Sequence, residues 1–300
     1  MAIFKGAGVA IVTPMYEDGK VNYDKLEELL EYQIANSTDA IIICGTTGES
    51  STMTHGEHLK TIKFAIDKVN KRVPVIAGTG SNCTETAIMM SKEAASYGAD
   101  ALLIVTPYYN KATQKGLIAH YTAIAEAVPE IPVLLYNNPG RVGYTLSADL
   151  VEKLAHEVKN IVGMKDTSGD ITQTEEFIRR NADVGFKVFG GKDTLLYASL
   201  CIGAVGGVCT AGNFMPELIV DIYNKYVAGD LKGSLAAQYK LNPVRLAMDG
   251  ASFPVAAKDM AIMRGQAAGK PIFTKYFQHQ KVRLMIRMKK ENGKSRSDLI

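Results

Sequence analysis

The chain has 300 residues, of which 47% are hydrophobic and 22% charged, the composition of an ordinary globular protein with ample material for a core. Its formal net charge of +3 is too small to indicate a nucleic-acid-binding or membrane-surface protein. The first residues show no signal-peptide pattern and no apolar run could span a bilayer, so we expect a cytoplasmic protein.

Short apolar runs recur about every thirty residues along the first two thirds of the chain. Each run is continuous and rich in Ile, Val or Leu, as is typical of strands buried on both faces. We predict eight strands from these runs. In chain order the runs are 9–12, 40–43, 74–77, 101–105, 131–135, 161–164, 186–189 and 204–208.

The segments between the runs have helical periodicity, as Leu26, Leu29 and Leu30 show for the first. Asn22 or Asp24 can cap that helix, and Ser147 can cap the fifth. Eight strand-helix units predict an α/β protein with a (β/α)₈ barrel, or TIM barrel. A doubly wound open sheet is the alternative, but it normally has fewer strands, and no nucleotide-binding fingerprint is present.

We predict two parts: a catalytic barrel over residues 1–213 and a C-terminal helical extension over residues 214–300. The extension contains helical patterns at 217–227, 235–248, 255–263 and 273–288. Residues 281–296 hold seven Lys or Arg and one acidic residue, which we interpret as a solvated helix face.

The four cysteines form no C-x-x-C pair, and two lie in apolar runs, which indicates reduced thiols and not a disulfide framework or a zinc site. His55 and His58 are three residues apart, but metal binding would need a further ligand. We therefore predict no bound metal.

Lys165 directly follows the sixth apolar run, and active sites of such barrels lie at the carboxyl ends of the strands. Burial at that rim disfavours the charged form of an amine, and a neutral lysine can form a Schiff base with a carbonyl substrate. The alternative is a strand-end lysine that extends to solvent.

Three other strand ends carry reactive or anion-binding side chains. Thr46 and Thr47, between two glycines, can offer hydroxyls and backbone N–H groups to a carboxylate, or form a simple tight turn. Tyr136 can exchange a proton, or merely cap the barrel core. Arg141 can hold a second carboxylate in bidentate fashion, or form a surface salt bridge.

Over residues 1–265 these strand ends resemble the class I pyruvate aldolases, the family of dihydrodipicolinate synthase and N-acetylneuraminate lyase. The resemblance rests on four motifs in order, at 45–49, 106–111, 136–141 and 163–165. It implies a (β/α)₈ barrel, a homotetramer built as a dimer of dimers, and a lyase that uses no cofactor.

The resemblance also implies roles for individual residues. Lys165 would form the Schiff base with pyruvate, and Tyr136 would carry protons to and from the bound intermediate. Thr46 would link Tyr136 to Tyr109, which would reach into the active site of a neighbouring subunit. The implied substrate-binding residues are Thr47 for pyruvate, Arg141 for the aldehyde partner, and the backbone carbonyls of Gly191 and Val208.

Within the family, the Thr46-Thr47 pair, Arg141 and the paired tyrosines Tyr108 and Tyr109 resemble the synthase branch. The implied reaction condenses pyruvate with L-aspartate 4-semialdehyde to 4-hydroxy-tetrahydrodipicolinate, in lysine and diaminopimelate biosynthesis. Three departures from the synthase pattern are expected to line the pocket: Val142, residues 166–168 and residues 204–208.

Two alternatives to the synthase reaction stay open. One is retro-aldol cleavage of a 2-oxo-3-deoxy sugar acid, N-acetylneuraminate or 4-hydroxy-2-oxoglutarate, and the other is a non-catalytic metabolite-binding barrel. The resemblance further implies a lysine-effector site, although Thr86 stands where an acidic contact is expected. The matched positions are Ser50, Ser51, His55, His58, Asn82 and Tyr108.

Overall fold

Eight parallel strands form a closed barrel in the computed structural model, which describes residues 3–266. Each strand pairs with the next along the chain, and the eighth pairs with the first. The predicted (β/α)₈ barrel is therefore confirmed. The strands are β1 Gly6–Ala10, β2 Ala40–Ile43, β3 Val75–Gly78, β4 Ala101–Val105, β5 Val133–Asn137, β6 Ile161–Asp166, β7 Lys187–Gly190 and β8 Gly206–Cys209.

Helices alternate with these strands and cover the outside of the barrel. Asn22 caps the first helix by accepting a hydrogen bond from the Lys25 amide, and Ser147 caps the sixth through the Leu150 amide. The helices are α1 Tyr23–Ala35, α2 His55–Val69, α3 Thr84–Ser96, α4 Gln114–Glu126, α5 Pro139–Val142, α6 Ala148–Glu157, α7 Ile171–Arg180, α8 Leu196–Cys201, α9 Pro216–Val227, α10 Leu231–Ala247 and α11 Val255–Met263.

The first strand begins earlier than the apolar run at 9–12 predicts, because glycines and not branched residues build the seam between β1 and β8. A side chain at Gly206 would lie 2.2 Å from the Gly6 carbonyl oxygen, and one at Gly8 would lie 3.1 Å from the Gly207 oxygen. Because glycine is generally disfavoured in strands, the apolar pattern predicted a strand at residues 9–12, after the glycines of β1.

The barrel interior is filled by one cluster of side chains from all eight strands and the segment before β1. Phe4 stacks on Phe189 with ring centroids 4.3 Å apart, towards the amino-terminal end of the strands. Tyr136 and Val208 belong to the same cluster nearer the opposite end. The interior is therefore a packed core, and the chemistry is confined to the carboxyl-end mouth.

The last helices pack against the barrel. Because α9 follows β8 and contacts β1, it completes the eighth strand-helix unit. We accordingly propose that the barrel includes α9 and that the extension begins with α10, not at residue 214. The predicted helix at 273–288 and the basic stretch at 281–296 lie outside the described residues. Among the residues that the structure describes, no helix is both long and apolar enough to cross a membrane.

Candidate active site

Lys165 and Tyr136 lie side by side at the mouth of the barrel. The parallel register pairs Tyr136 on β5 with Lys165 on β6, so both side chains point to the same face. The Lys165 Nζ atom is 4.5 Å from the centroid of the Tyr136 ring, and only 5% of Lys165 and 4% of Tyr136 are exposed. The structure thus brings a buried amine and a buried phenol together.

The surroundings of the Tyr136 phenol favour its ionised form. Burial alone would raise the pKa of Tyr136, but the positive charge of Lys165 and the nearby hydroxyls of Thr46 and Thr167 outweigh it, and the pKa lies below the usual value of 10.0. The Asn138 amide also donates a hydrogen bond of 2.8 Å to the phenol oxygen. A phenol of this kind can exchange a proton more readily than a free tyrosine.

Gly191 provides the space beside Lys165. A side chain there would approach within 3.0 Å of Lys165 Cε, 2.9 Å of the Asp166 carbonyl oxygen and 2.4 Å of the Thr167 hydroxyl. Its amide donates to that same Asp166 carbonyl oxygen at 2.7 Å, which fixes the loop after β7 against β6. A substrate bound to Lys165 can therefore lie against bare backbone at this position.

The loop after β2, residues 45–49, carries both predicted threonines. Thr47 is buried, and its hydroxyl lies 3.3 Å from that of Thr210, just after β8. The Thr13 hydroxyl donates to the Gly48 carbonyl oxygen at 2.7 Å, so the loop is also held to the segment that follows β1. Thr46 faces the phenol of Tyr136. The loop is thus placed to hold a small carboxylate near Lys165.

Arg141 lies on the short helix α5 at the outer side of the mouth, and its guanidinium stacks over the Phe253 ring at 5.0 Å from the centroid. Arg141 and Phe253 line a cavity of about 500 Å³ together with Thr46. The guanidinium is exposed, so it is available to an anionic ligand.

The same cavity contains most of the predicted effector residues. Its described lining includes Ser50, Ser51, His55, His58 and Tyr108, but not Asn82, which is exposed nearby.

His58 is held neutral within that cavity wall. Burial lowers its pKa to about 4, while a 2.8 Å hydrogen bond between its Nε2 and the Gly78 carbonyl oxygen acts in the opposite direction. His58 therefore lines the cavity as an uncharged side chain at neutral pH.

The remaining two predicted residues occupy contrasting places. Val208 is 2% exposed and packs inside the barrel, where only its backbone can face the mouth. Tyr109 is 91% exposed and has a φ of 76°, a conformation that non-glycine residues rarely adopt. Within one chain, Tyr109 contributes to the rim of the cavity and does not pack into the core.

Of residues 166–168, which we expect to line the pocket, Asp166 is engaged in other contacts. Asp166 accepts hydrogen bonds from Asn137, from Ser168 and from the Thr174 hydroxyl on α7, so it secures the β6 end. Thr167 is close to the reactive residues, and its buried hydroxyl lies near the Tyr136 phenol.

Sequence reasoning missed Asn138 as a site residue. Its position, two residues beyond Tyr136, was the available signal. No group of three or more His, Cys, Asp or Glu residues in the described part of the chain could hold a metal ion.

Comparison with known proteins identifies the family. The sequence of residues 3–285 matches the model of the dihydrodipicolinate synthetase family. The chain belongs to the dihydrodipicolinate synthetase family. A relative from Lachnoclostridium phytofermentans, named 4-hydroxy-tetrahydrodipicolinate synthase, is 50% identical over 269 residues, covering 90% of this chain and 91% of its own.

Solved structures of the dihydrodipicolinate synthetase family have the same fold. The synthase of Cyanidioschyzon merolae with lysine bound is 33% identical, with a TM-score of 0.90, over 97% of this chain and 99% of its own. A monomeric dihydrodipicolinate synthase variant is 32% identical, with a TM-score of 0.89, over 97% of both chains. Family membership therefore holds over the whole described barrel.

Proposed function

We propose that this chain is a 4-hydroxy-tetrahydrodipicolinate synthase, a Schiff-base lyase that condenses pyruvate with L-aspartate 4-semialdehyde. The observation that carries the proposal is the buried Lys165 amine beside the Tyr136 ring, at the mouth of the barrel. Membership of the dihydrodipicolinate synthetase family supports it independently.

Lys165 begins the reaction as the nucleophile. The ammonium first passes a proton to the ionised Tyr136. The neutral nitrogen then attacks the keto carbon of pyruvate, a C–N bond forms, and the keto oxygen leaves as water, with protons from Tyr136 and the amine, to give an iminium ion. The iminium accepts electrons from the adjacent C–H bond, so the methyl group loses a proton and becomes an enamine. Tyr136 is the group placed to carry the protons of these steps, since its hydroxyl lies beside both Lys165 and Thr46.

The enamine then attacks the aldehyde carbon of the second substrate, and a new C–C bond forms. We propose that loop 45–49, with Thr47, binds the pyruvate carboxylate and that Arg141 binds the carboxylate of aspartate semialdehyde. Gly191 leaves the space in which the adduct grows. Attack of the product amine on the iminium carbon closes the ring and releases Lys165.

Borohydride trapping tests the proposal. We expect reduction in the presence of pyruvate to add the mass of one reduced pyruvate to the chain, at the peptide that contains Lys165. A substrate comparison then decides the second partner: turnover is expected with pyruvate plus aspartate semialdehyde. Cleavage of N-acetylneuraminate or 4-hydroxy-2-oxoglutarate at a higher rate would contradict the proposal.

We also propose a cytoplasmic homotetramer, a dimer of dimers in which Tyr109 of one subunit completes the relay of its neighbour. The 91% exposure of Tyr109 at the rim supports a partner there. Because one relative is a monomeric variant, the number of subunits has to be measured, and sedimentation analysis tests it.

Lysine inhibition is the last part of this proposal. Ser50, Ser51, His55 and Tyr108 share one cavity, and a relative of the same fold is known with lysine bound. Activity that does not fall at millimolar lysine would remove this part.

A further inference from the structure

Two side chains from the start of α11 and the segment before it contact the active site from outside the barrel. Lys258 forms an ion pair with Glu49, and the side chains are 0% and 3% exposed, respectively. Phe253 lies under the guanidinium of Arg141 at 5.0 Å. Residues 253–258 therefore contact both sides of the mouth, at positions that sequence analysis did not identify.

The Lys258 contact acts on loop 45–49. Glu49 is the last residue of this loop, two positions after Thr47, and has a φ of 61°. A glutamate in this left-handed conformation is unfavourable unless its surroundings hold it there. Lys258 is the cation that neutralises the buried Glu49 carboxylate, so it fixes the end of the loop that carries both threonines.

Stability alone is a weak explanation for such a pair. Removing two charges from water is costly, and a buried ion pair often contributes little net stability compared with apolar residues of the same volume. A conformational role accounts for the pair better, because the pair fixes the backbone of the loop that we propose binds the pyruvate carboxylate.

The Phe253 contact acts on Arg141. An exposed arginine can adopt many rotamers, and stacking on an aromatic ring restricts the plane of its guanidinium. Phe253 and Arg141 both line the 500 Å³ cavity, so the ring orients the guanidinium that we propose binds the second substrate.

We propose that residues 253–258 position the two carboxylate-binding sides of the site separately: Lys258 sets the pyruvate side through Glu49, and Phe253 sets the aldehyde side through Arg141. Both are positioning residues. The inference rests on the proposed function, since it assigns one substrate carboxylate to each side.

The test is a split between the two KM values. For Phe253→Ala we expect the KM of aspartate semialdehyde to rise about fivefold, as loss of a cation–π contact predicts. The KM of pyruvate should change less than about twofold. Phe253→Tyr keeps the ring and should restore the wild-type values.

For Lys258→Met we expect the opposite split, with the KM of pyruvate raised about tenfold or more, because misplaced binding groups lose affinity steeply. This variant leaves Glu49 charged and unneutralised, which can prevent folding. The double variant Glu49→Gln with Lys258→Met removes both charges together, and it should fold and still show the raised KM of pyruvate.

Arg264→Met is the matched control. Arg264 follows α11, pairs with Glu217 on α9 at 2.7 Å and donates to the Phe214 carbonyl oxygen, and neither partner belongs to loop 45–49 or to α5. We expect this variant to lose thermal stability with both KM values unchanged.

The outcomes separate the two proposals. A folded Phe253→Ala or double variant whose two KM values move together, or do not move, would overturn the positioning role alone. Wild-type protein that forms no borohydride-reducible adduct with pyruvate would overturn the proposed function and, with it, this inference.

Discussion

The two sides of the barrel mouth are built in different ways. On the β5–β6 side, Tyr136 and Lys165 are placed by strand register, and both are almost fully buried. On the β4 side, Tyr109 projects from a loop, is 91% exposed and has a positive φ. The first side is complete within one chain, whereas the second offers an aromatic ring that one chain leaves unused. We therefore expect the bond-making chemistry on the β5–β6 side, and the proposed assembly and lysine control on the β4 side.

Lys165→Met should have the largest effect. Removing the nucleophile should lower kcat by a factor on the order of 10⁴ or more and abolish borohydride trapping. Lys192→Met is the control, because Lys192 is an exposed lysine at the neighbouring strand end and should leave trapping intact. Residual trapping in Lys165→Met would mean that another amine carries the reaction.

Tyr136→Phe should come next, because it leaves the ring beside Lys165 and removes only the proton carrier. We expect kcat to fall by about 10² to 10⁴ while adduct formation slows and is not abolished. Tyr121→Phe removes another buried phenol, bonded to Thr106 at 3.3 Å, and should leave kcat nearly unchanged. An equal fall of kcat in the two variants would contradict the role of Tyr136 as the proton carrier.

His58, which lines the same cavity as Tyr109, should make the free energy of unfolding depend on pH. The folded protein keeps this histidine neutral down to a pKa of about 4, whereas the unfolded chain protonates it near 6.5. Stability should therefore be complete above pH 6.5 and fall as the pH drops to 4, by about 3 kcal/mol from this residue. In His58→Gln, denaturant unfolding at pH 7.5 and pH 5 should show a shallower loss than wild type, and an unchanged slope would contradict this.

Tyr109→Ala should have the smallest effect on the single chain. An exposed side chain changes the free energy of unfolding by less than about 0.5 kcal/mol. Activity should nonetheless fall several-fold if a neighbouring subunit uses the ring, and sedimentation should show weaker assembly. Tyr239→Ala, which removes another exposed tyrosine on α10, is the control. A fully active monomeric variant would refute the shared relay.

The sequence was most informative where function and local pattern coincide. Lys165 could be identified because it ends an apolar run, and β2 and β4 lie where their runs predicted. The glycines between β1 and β8 were not predicted as strand residues. The need for a glycine at such a position is evident only when the facing backbone is known.

Contacts between distant segments were beyond sequence reasoning. In the sequence, Lys258 and Phe253 are ordinary residues of a late helix and of the segment before it. Only the fold shows that Lys258 contacts Glu49 and that Phe253 contacts Arg141. The same holds for Asp166, whose hydrogen bonds to Asn137 and Thr174 point it away from the pocket.

The stacked rings of Phe4 and Phe189 have a kinetic consequence. Because they belong to the packed interior of the barrel, we expect both reactants and the product to use the carboxyl-end mouth. An aldehyde molecule that enters before pyruvate would occupy the passage and block the keto acid from the lysine. We therefore expect an ordered, double-displacement rate law, with excess aldehyde acting as a dead-end inhibitor that competes with pyruvate.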